Sequence, residues 1–92
     1  MIKSFADKLT EELYNTGHSL KYKSIERVAL RKLDIIEAAV NVNILRIPPA
    51  NHLELLKGDR EGQYSIRIND QFRICFKWEG QYAIDVEITD YH

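Results

Sequence analysis

The last thirty residues alternate apolar and polar side chains with a period of two. Tyr64, Ile66 and Ile68 share one side of a first run, and Phe72, Ile74, Phe76 and Trp78 one side of a second. Tyr82, Ile84, Val86 and Ile88 do the same in a third. The pattern predicts three antiparallel strands with one buried face, joined by short turns at Asn69-Asp70-Gln71 and Glu79-Gly80-Gln81. Opposed residues share a face, so a two-residue turn at Asn69-Asp70 would set apolar Ile68 against Gln71. Three residues set it against Phe72, and that length is the one expected.

Upstream the period changes to that of a helix. Asp7 is an N-cap candidate, followed by Leu9, Leu13 and Tyr14 on one helical face up to Gly17, a helix stop. Ser24 is a second N-cap candidate. From it Ile25, Val28, Ala29, Leu33, Ile36 and Val40 recur at helical spacing, which predicts a long helix over 24–41. Pro48-Pro49 cannot continue that helix, and Ile47 before a proline is biased to extended geometry. Leu53 and Leu55 alternate with His52 and Glu54 as in a short strand, and residues 57–62 read as a loop. With an extended start over 2–5, the expectation is a single α+β domain over 1–92. It has a short N-terminal strand, two helices, and an antiparallel sheet of three to four strands packed on them.

Composition narrows the functions. A chain of 92 residues with net charge -1 is no wholly basic nucleic-acid coat, so any such binding must come from a local patch. One cysteine, Cys75, excludes an internal disulfide and a multi-cysteine metal knuckle. No run approaches the ~18 apolar residues of a membrane span, and residues 1–7 are no signal peptide. These features set the expectation of a cytoplasmic protein without a membrane partner.

The chemistry lies on the polar side of the strands. Counted from the two turns, Arg67 falls opposite Arg73, Arg73 opposite Glu87, and Cys75 opposite Asp85. Like charges set opposite each other destabilise a strand pair unless an anion lies between them. Glu87 is that anion in the plainer reading, a solvated ion-pair row worth ~0–1 kcal/mol per pair, and register alone favours it. In the sharper reading the surplus arginine awaits phosphate, which its planar fork suits. Lys21, Lys23, Arg27, Arg31 and Lys32 form a second basic group, which reads first as the solvated side of an amphipathic helix. The chain ends Asp90-Tyr91-His92, directly after the third strand, and histidine suits proton transfer near neutral pH. His18, His52 and His92 are too scattered in sequence to imply a metal site, and there is no glycine-rich phosphate loop. Cys75 reads as a small structural residue and Trp78 as core.

Taken in order, the segments 1–5, Leu56-Lys57-Gly58-Asp59-Arg60-Glu61-Gly62, the run 65–74 and the terminal Asp90-Tyr91-His92 resemble the HigB-type toxins of the RelE/ParE superfamily. The resemblance implies a RelE-like fold and a toxin of a type II toxin–antitoxin pair. Such a toxin enters the 30S decoding site of the ribosome and cleaves mRNA there without metal or cofactor, the RNA's own 2′-hydroxyl attacking the adjacent phosphate. It also implies a helix-turn-helix antitoxin of HigA type as partner, with DNA bound only through that complex. Carried over by position, Lys57 and Arg73 stabilise phosphate charge, and Asp90, Tyr91 and His92 form a terminal catalytic group with His92 moving the proton. Arg60 and Arg67 are then RNA-binding residues. Some HigB toxins carry a histidine three residues before the lysine; here Glu54 stands there, so His52 and Glu54 are the acid–base substitutes. The superfamily also holds ParE-like gyrase inhibitors. A gyrase-binding module, or a weak toxin acting mainly through its antitoxin and promoter, is therefore the alternative.

Overall fold

A computed structural model describes residues 1–90. Helix α1 spans Lys8–Thr16 and α2 Glu26–Ala38. The strands are β1 (Glu54–Leu55), β2 (Tyr64–Arg67), β3 (Phe72–Glu79) and β4 (Tyr82–Asp90), antiparallel in the order β1-β2-β3-β4. The N-terminal segment lies along the far edge of β4, parallel to it, with bridges Ile2–Ala83 and Phe5–Val86. Its backbone covers part of that edge through Lys3 N–H to the Ala83 carbonyl (2.8 Å) and Val86 N–H to the Ser4 carbonyl (3.1 Å). Both helices pack on one side of the sheet. Leu13, Ala29, Leu33 and Ile36 meet Ile66, Ile74, Phe76 and Val86 there, all fully buried.

The caps of α1 are those expected. The Asp7 carboxylate accepts from Thr10 N–H at 3.3 Å, and Gly17 at φ 81 ends the helix by donating its N–H to the Leu13 carbonyl. Its buried face, however, runs through Thr10 and Leu13, while Leu9 is exposed. Thr10 is buried because its hydroxyl oxygen accepts from Ile88 N–H at 3.0 Å, occupying a β4 edge donor that the N-terminal segment does not reach.

The second helix is shorter than its period suggests. A 3-10 turn over Lys23–Ile25 precedes it, and Ser24 does not cap it. It ends where Ala39 turns extended (ψ 131), and the Ala39 carbonyl accepts from the Met1 ammonium at 3.0 Å. Asn41 then starts a new 3-10 turn over Val42–Arg46 by accepting from Ile44 N–H, which leaves Val40 outside the helix and exposed. A capping asparagine outcompetes one more helical turn.

The sheet register matches the expectation at one turn and departs from it at the other. Arg67 pairs with Arg73 and Ile66 with Ile74, as the three-residue turn requires. At the second turn Glu79 pairs with Tyr82, so the turn is Gly80-Gln81 alone, with Gly80 at φ 62 as two-residue hairpins favour. Further along, Cys75 pairs with Glu87 but Lys77 with Ile84, so β4 holds one extra residue. That bulge centres on Asp85 at φ 54, a left-handed conformation that aspartate tolerates better than most residues. The Ser4 hydroxyl oxygen accepts the Asp85 N–H at 2.9 Å. Tyr82 and Ile84 therefore do not share the buried face of Val86 and Ile88; Ala83 does. Arg73 faces Thr89 rather than Glu87, and Cys75 faces Glu87 rather than Asp85.

A charged residue also sits in the buried layer. Lys32 follows Ala29 by three and precedes Ile36 by four, which places it on the apolar face, and only 8% of it is exposed. Its ammonium donates to Asn51 Oδ1. Burial pushes the Lys32 pKa below the ordinary lysine value, and Arg31 and Arg67 push it the same way. The unfolded chain then holds more protons than the folded one between that lowered value and 10.5, so this term of stability rises with pH across the window and is lost as pH falls through it. Urea midpoints of wild type and Lys32→Met, compared at pH 7 and pH 10.5, are expected to shift in favour of wild type at the higher pH. An unchanged difference would contradict the shift.

Candidate active site

The outward face of the sheet is not an open row of charges. After β1 the chain passes through a 3-10 turn at Gly58–Arg60 before it returns as β2. The Arg60 guanidinium reaches from this loop to Glu87 on β4, with Nη1 2.6 Å from Oε1, and also donates to Gln63. Ser65 and Cys75, outward by parity, are nevertheless fully buried. Glu87 is therefore the partner of Arg60, and the expected row Arg67–Arg73–Glu87 does not form.

Arg73 lies down within this covered layer. Its Nε donates to the Ser65 hydroxyl at 2.8 Å, and an Nη donates to the His52 carbonyl at 2.6 Å. Glu54 Oε1 stands 3.8 Å from the same guanidinium, whose side chain is only 11% exposed. Three chain segments thus converge on one cation: the turn before β1, β1 itself and β2. The like-charge neighbour expected to disturb it is drawn aside, since Arg67 pairs with Asp70 in the turn.

His52 enters this arrangement through its backbone. It sits at φ 46, ψ 56, which costs a non-glycine residue about 1–2 kcal/mol. The strand alternation that would place its ring beside Glu54 starts only at Glu54, so His52 and Glu54 do not share a strand face. Lys57, exposed and extended (φ -125, ψ 176), opens the loop between β1 and β2. At the other end Asp90 pairs with Phe72, one position beyond the Arg73–Thr89 pair, and its carboxylate accepts from Gln71 Nε2 at 3.0 Å. A cleft of about 300 Å³ opens here, lined by Arg60, Glu87, Thr89 and Asp90 and by Lys21 and Tyr22 from the interhelical turn. Tyr91 and His92, expected at the site, lie outside the described residues.

Of the expected site residues, the structure brings together Arg73, Glu54 and the His52 carbonyl in one cluster, and Arg60 and Asp90 around the adjacent cleft. Arg67 lies opposite Arg73. Sequence reasoning missed Ser65, Asn51 and the inward role of Lys32. Ser65 carried a signal: a small hydroxyl on the strand beside an arginine, two positions from their paired partners. Lys32 carried one too, in its helical spacing. Asn51 carried none, because its position follows from loop geometry.

A two-helix layer on a short antiparallel sheet is the architecture of RelE-like toxins. The solved YoeB–YefM complex from Staphylococcus aureus contains a chain of this fold, superposing with a TM-score of 0.63 over 100% of this chain and 98% of that one at 17% identity. The family model described as "RelE-like toxin of type II toxin-antitoxin system HigB" matches residues 3–92, and the chain belongs to that family. Among its relatives, Toxin HigB-1 of Vibrio cholerae is 41% identical over 87 residues, 92% of each chain. Endoribonuclease HigB of Proteus vulgaris is 33% identical over the whole length of both.

Proposed function

We propose that this toxin is an endoribonuclease that cleaves mRNA in the decoding site of translating ribosomes, and that a HigA-like antitoxin neutralises it. The observation that carries the reading is Arg73: a guanidinium fixed by Ser65 and the His52 carbonyl, beside the strand end that leads to Asp90. A cation that needs no reorganisation when charge develops on a phosphorane is the largest single aid such a reaction can receive. The relative named Endoribonuclease HigB supports the same chemistry.

In the proposed reaction the RNA 2′-hydroxyl loses its proton and attacks the adjacent phosphorus, and the 5′-oxygen leaves as it gains a proton. The step uses the RNA's own nucleophile and calls on no metal or cofactor from the protein. Arg73 and Lys57 bear the phosphate charge, while Arg60 and Arg67 hold the strand. Asp90, Tyr91 and His92 supply the acid–base end, with His92 transferring the proton. Glu54 holds a carboxylate oxygen 3.8 Å from Arg73, so it takes precedence over His52 as base on the β1 side. DNA is bound only through the antitoxin complex, and the setting is cytoplasmic.

Expression of the chain alone is expected to stop growth, and co-expression of the antitoxin to restore it. Purified toxin should cut mRNA on translating ribosomes and leave naked RNA intact. Equal cutting of naked RNA would overturn ribosome positioning. Gyrase inhibition with no RNA cleavage would replace this reading with a ParE-like one.

A further inference from the structure

Asn51 is a fully buried polar side chain that takes no direct part in the proposed chemistry. Its Oδ1 accepts the Lys32 ammonium from α2, and its Nδ2 donates to the Leu45 and Ile47 carbonyls at 3.1 and 3.3 Å. Its backbone N–H donates to the Pro48 carbonyl at 2.9 Å, and that of His52 to the Pro49 carbonyl at 3.0 Å. The whole segment 45–52 is therefore wound around one amide, which is anchored in turn to a helix of the core. The residue released from this winding is His52, in a left-handed conformation, with its carbonyl on Arg73 at 2.6 Å.

We propose that Asn51, anchored by Lys32, is a positioning residue for Arg73: it fixes the His52 carbonyl that holds the guanidinium in place. The inference deepens the reading of Arg73 as the phosphate-stabilising cation, and only its kinetic part rests on that reading. The logic is one of satisfied groups. A buried amide with a donor or acceptor left unmet is unfavourable, so Asn51 tolerates few alternative loop conformations. A loop with few alternatives presents the His52 carbonyl in one place. An arginine so held does not have to be ordered when substrate binds.

The direct observable is solvent exchange of the Arg73 Nε–H, followed by NMR on the full ¹⁵N-labelled chain. In the wild type it is expected to exchange at least about tenfold more slowly than Nε–H of exposed Arg27 and Arg31, the worth of one hydrogen bond to a charged group. Exchange as fast as theirs overturns the proposal without any variant. Asn51→Asp turns two donations into repulsion between oxygens, and Lys32→Met removes the anchor while keeping an apolar side chain of similar length. With folding checked by circular dichroism, each is expected to speed Arg73 exchange and to lower kcat about tenfold with KM little changed.

A merely structural role predicts something else: unchanged Arg73 exchange and losses that add. Combined with Arg73→Ala, the Asn51→Asp change should therefore lower kcat no further, and a fully additive loss overturns the link. If exchange speeds up in both variants while Arg73→Ala itself cleaves mRNA normally, the positioning stands and the cleavage role of Arg73 falls. Folded Lys32→Met with wild-type Arg73 exchange sinks the positioning itself.

Discussion

Replacing Arg73 by alanine is expected to lower ribosome-dependent mRNA cleavage about 10²–10³-fold, the usual loss when a preorganised charge-stabilising donor is removed. The guanidinium is held before substrate arrives, by Ser65 at 2.8 Å and the His52 carbonyl at 2.6 Å. Its loss therefore removes stabilisation of the transition state more than binding of the ground state, and kcat should fall while KM changes little. Stability should fall as well, by about 1–3 kcal/mol, because the covered Ser65 hydroxyl and the His52 carbonyl lose a charged donor. Relief of repulsion from Arg67 does not offset this, since Arg67 already pairs with Asp70. Arg73→Lys tests the geometry: a single ammonium cannot span both anchors as a fork does, so it should recover only part of the activity. Wild-type cleavage by folded Arg73→Ala would remove this residue from the mechanism.

The second large effect is expected at the chain end. His92→Ala should reduce cleavage about 10²–10⁴-fold, the range that positioned acid–base groups contribute, with folding and antitoxin binding kept. The argument starts from Asp90, whose place is set by pairing with Phe72 and by the Gln71 amide. Asp90 stands one position beyond the Arg73–Thr89 pair, and His92 follows it by two residues in sequence. Tyr91→Phe separates orientation of RNA from proton transfer and should cost less. Cleavage and urea unfolding measured together decide the case. Full activity in folded His92→Ala would take the histidine out of the reaction, and loss of folding would make its role structural.

The sequence carried the sheet where side-chain parity was unbroken and misled where it was broken. Over 64–68 and 72–76 every second residue is apolar and points inward, so the Arg67–Arg73 pair could be counted off directly. In β4 the count fails because Asp85 adds a residue, and nothing in the alternation of Tyr82, Ile84, Val86 and Ile88 shows it. Ala83, small and unremarked in the pattern, is the residue that fills the core. The site was visible as residue types but not as contacts. Glu87 was counted onto Arg73 and belongs to Arg60, since the reach of a side chain from a loop leaves no periodic trace. Lys32 joined the solvated basic group by charge, although its spacing in α2 assigns it to the interior.

The kink at Asp85 makes β4 a strand of two phases. Its first half is clamped by residues 1–6, and its second half aims Glu87 at Arg60 and sets Thr89 opposite Arg73. Removing Asp85 would take out only the surplus residue: Val86 would oppose Phe76, and Val86 and Ile88 would keep their inward side. Removing Glu87 with the bulge kept would instead turn everything downstream by half a turn. Ile88 would then face outward and Thr89 would press toward the helices. The strand can thus lose a residue at its kink but not beyond it, where a single deletion would send Asp90 to the opposite side of the sheet.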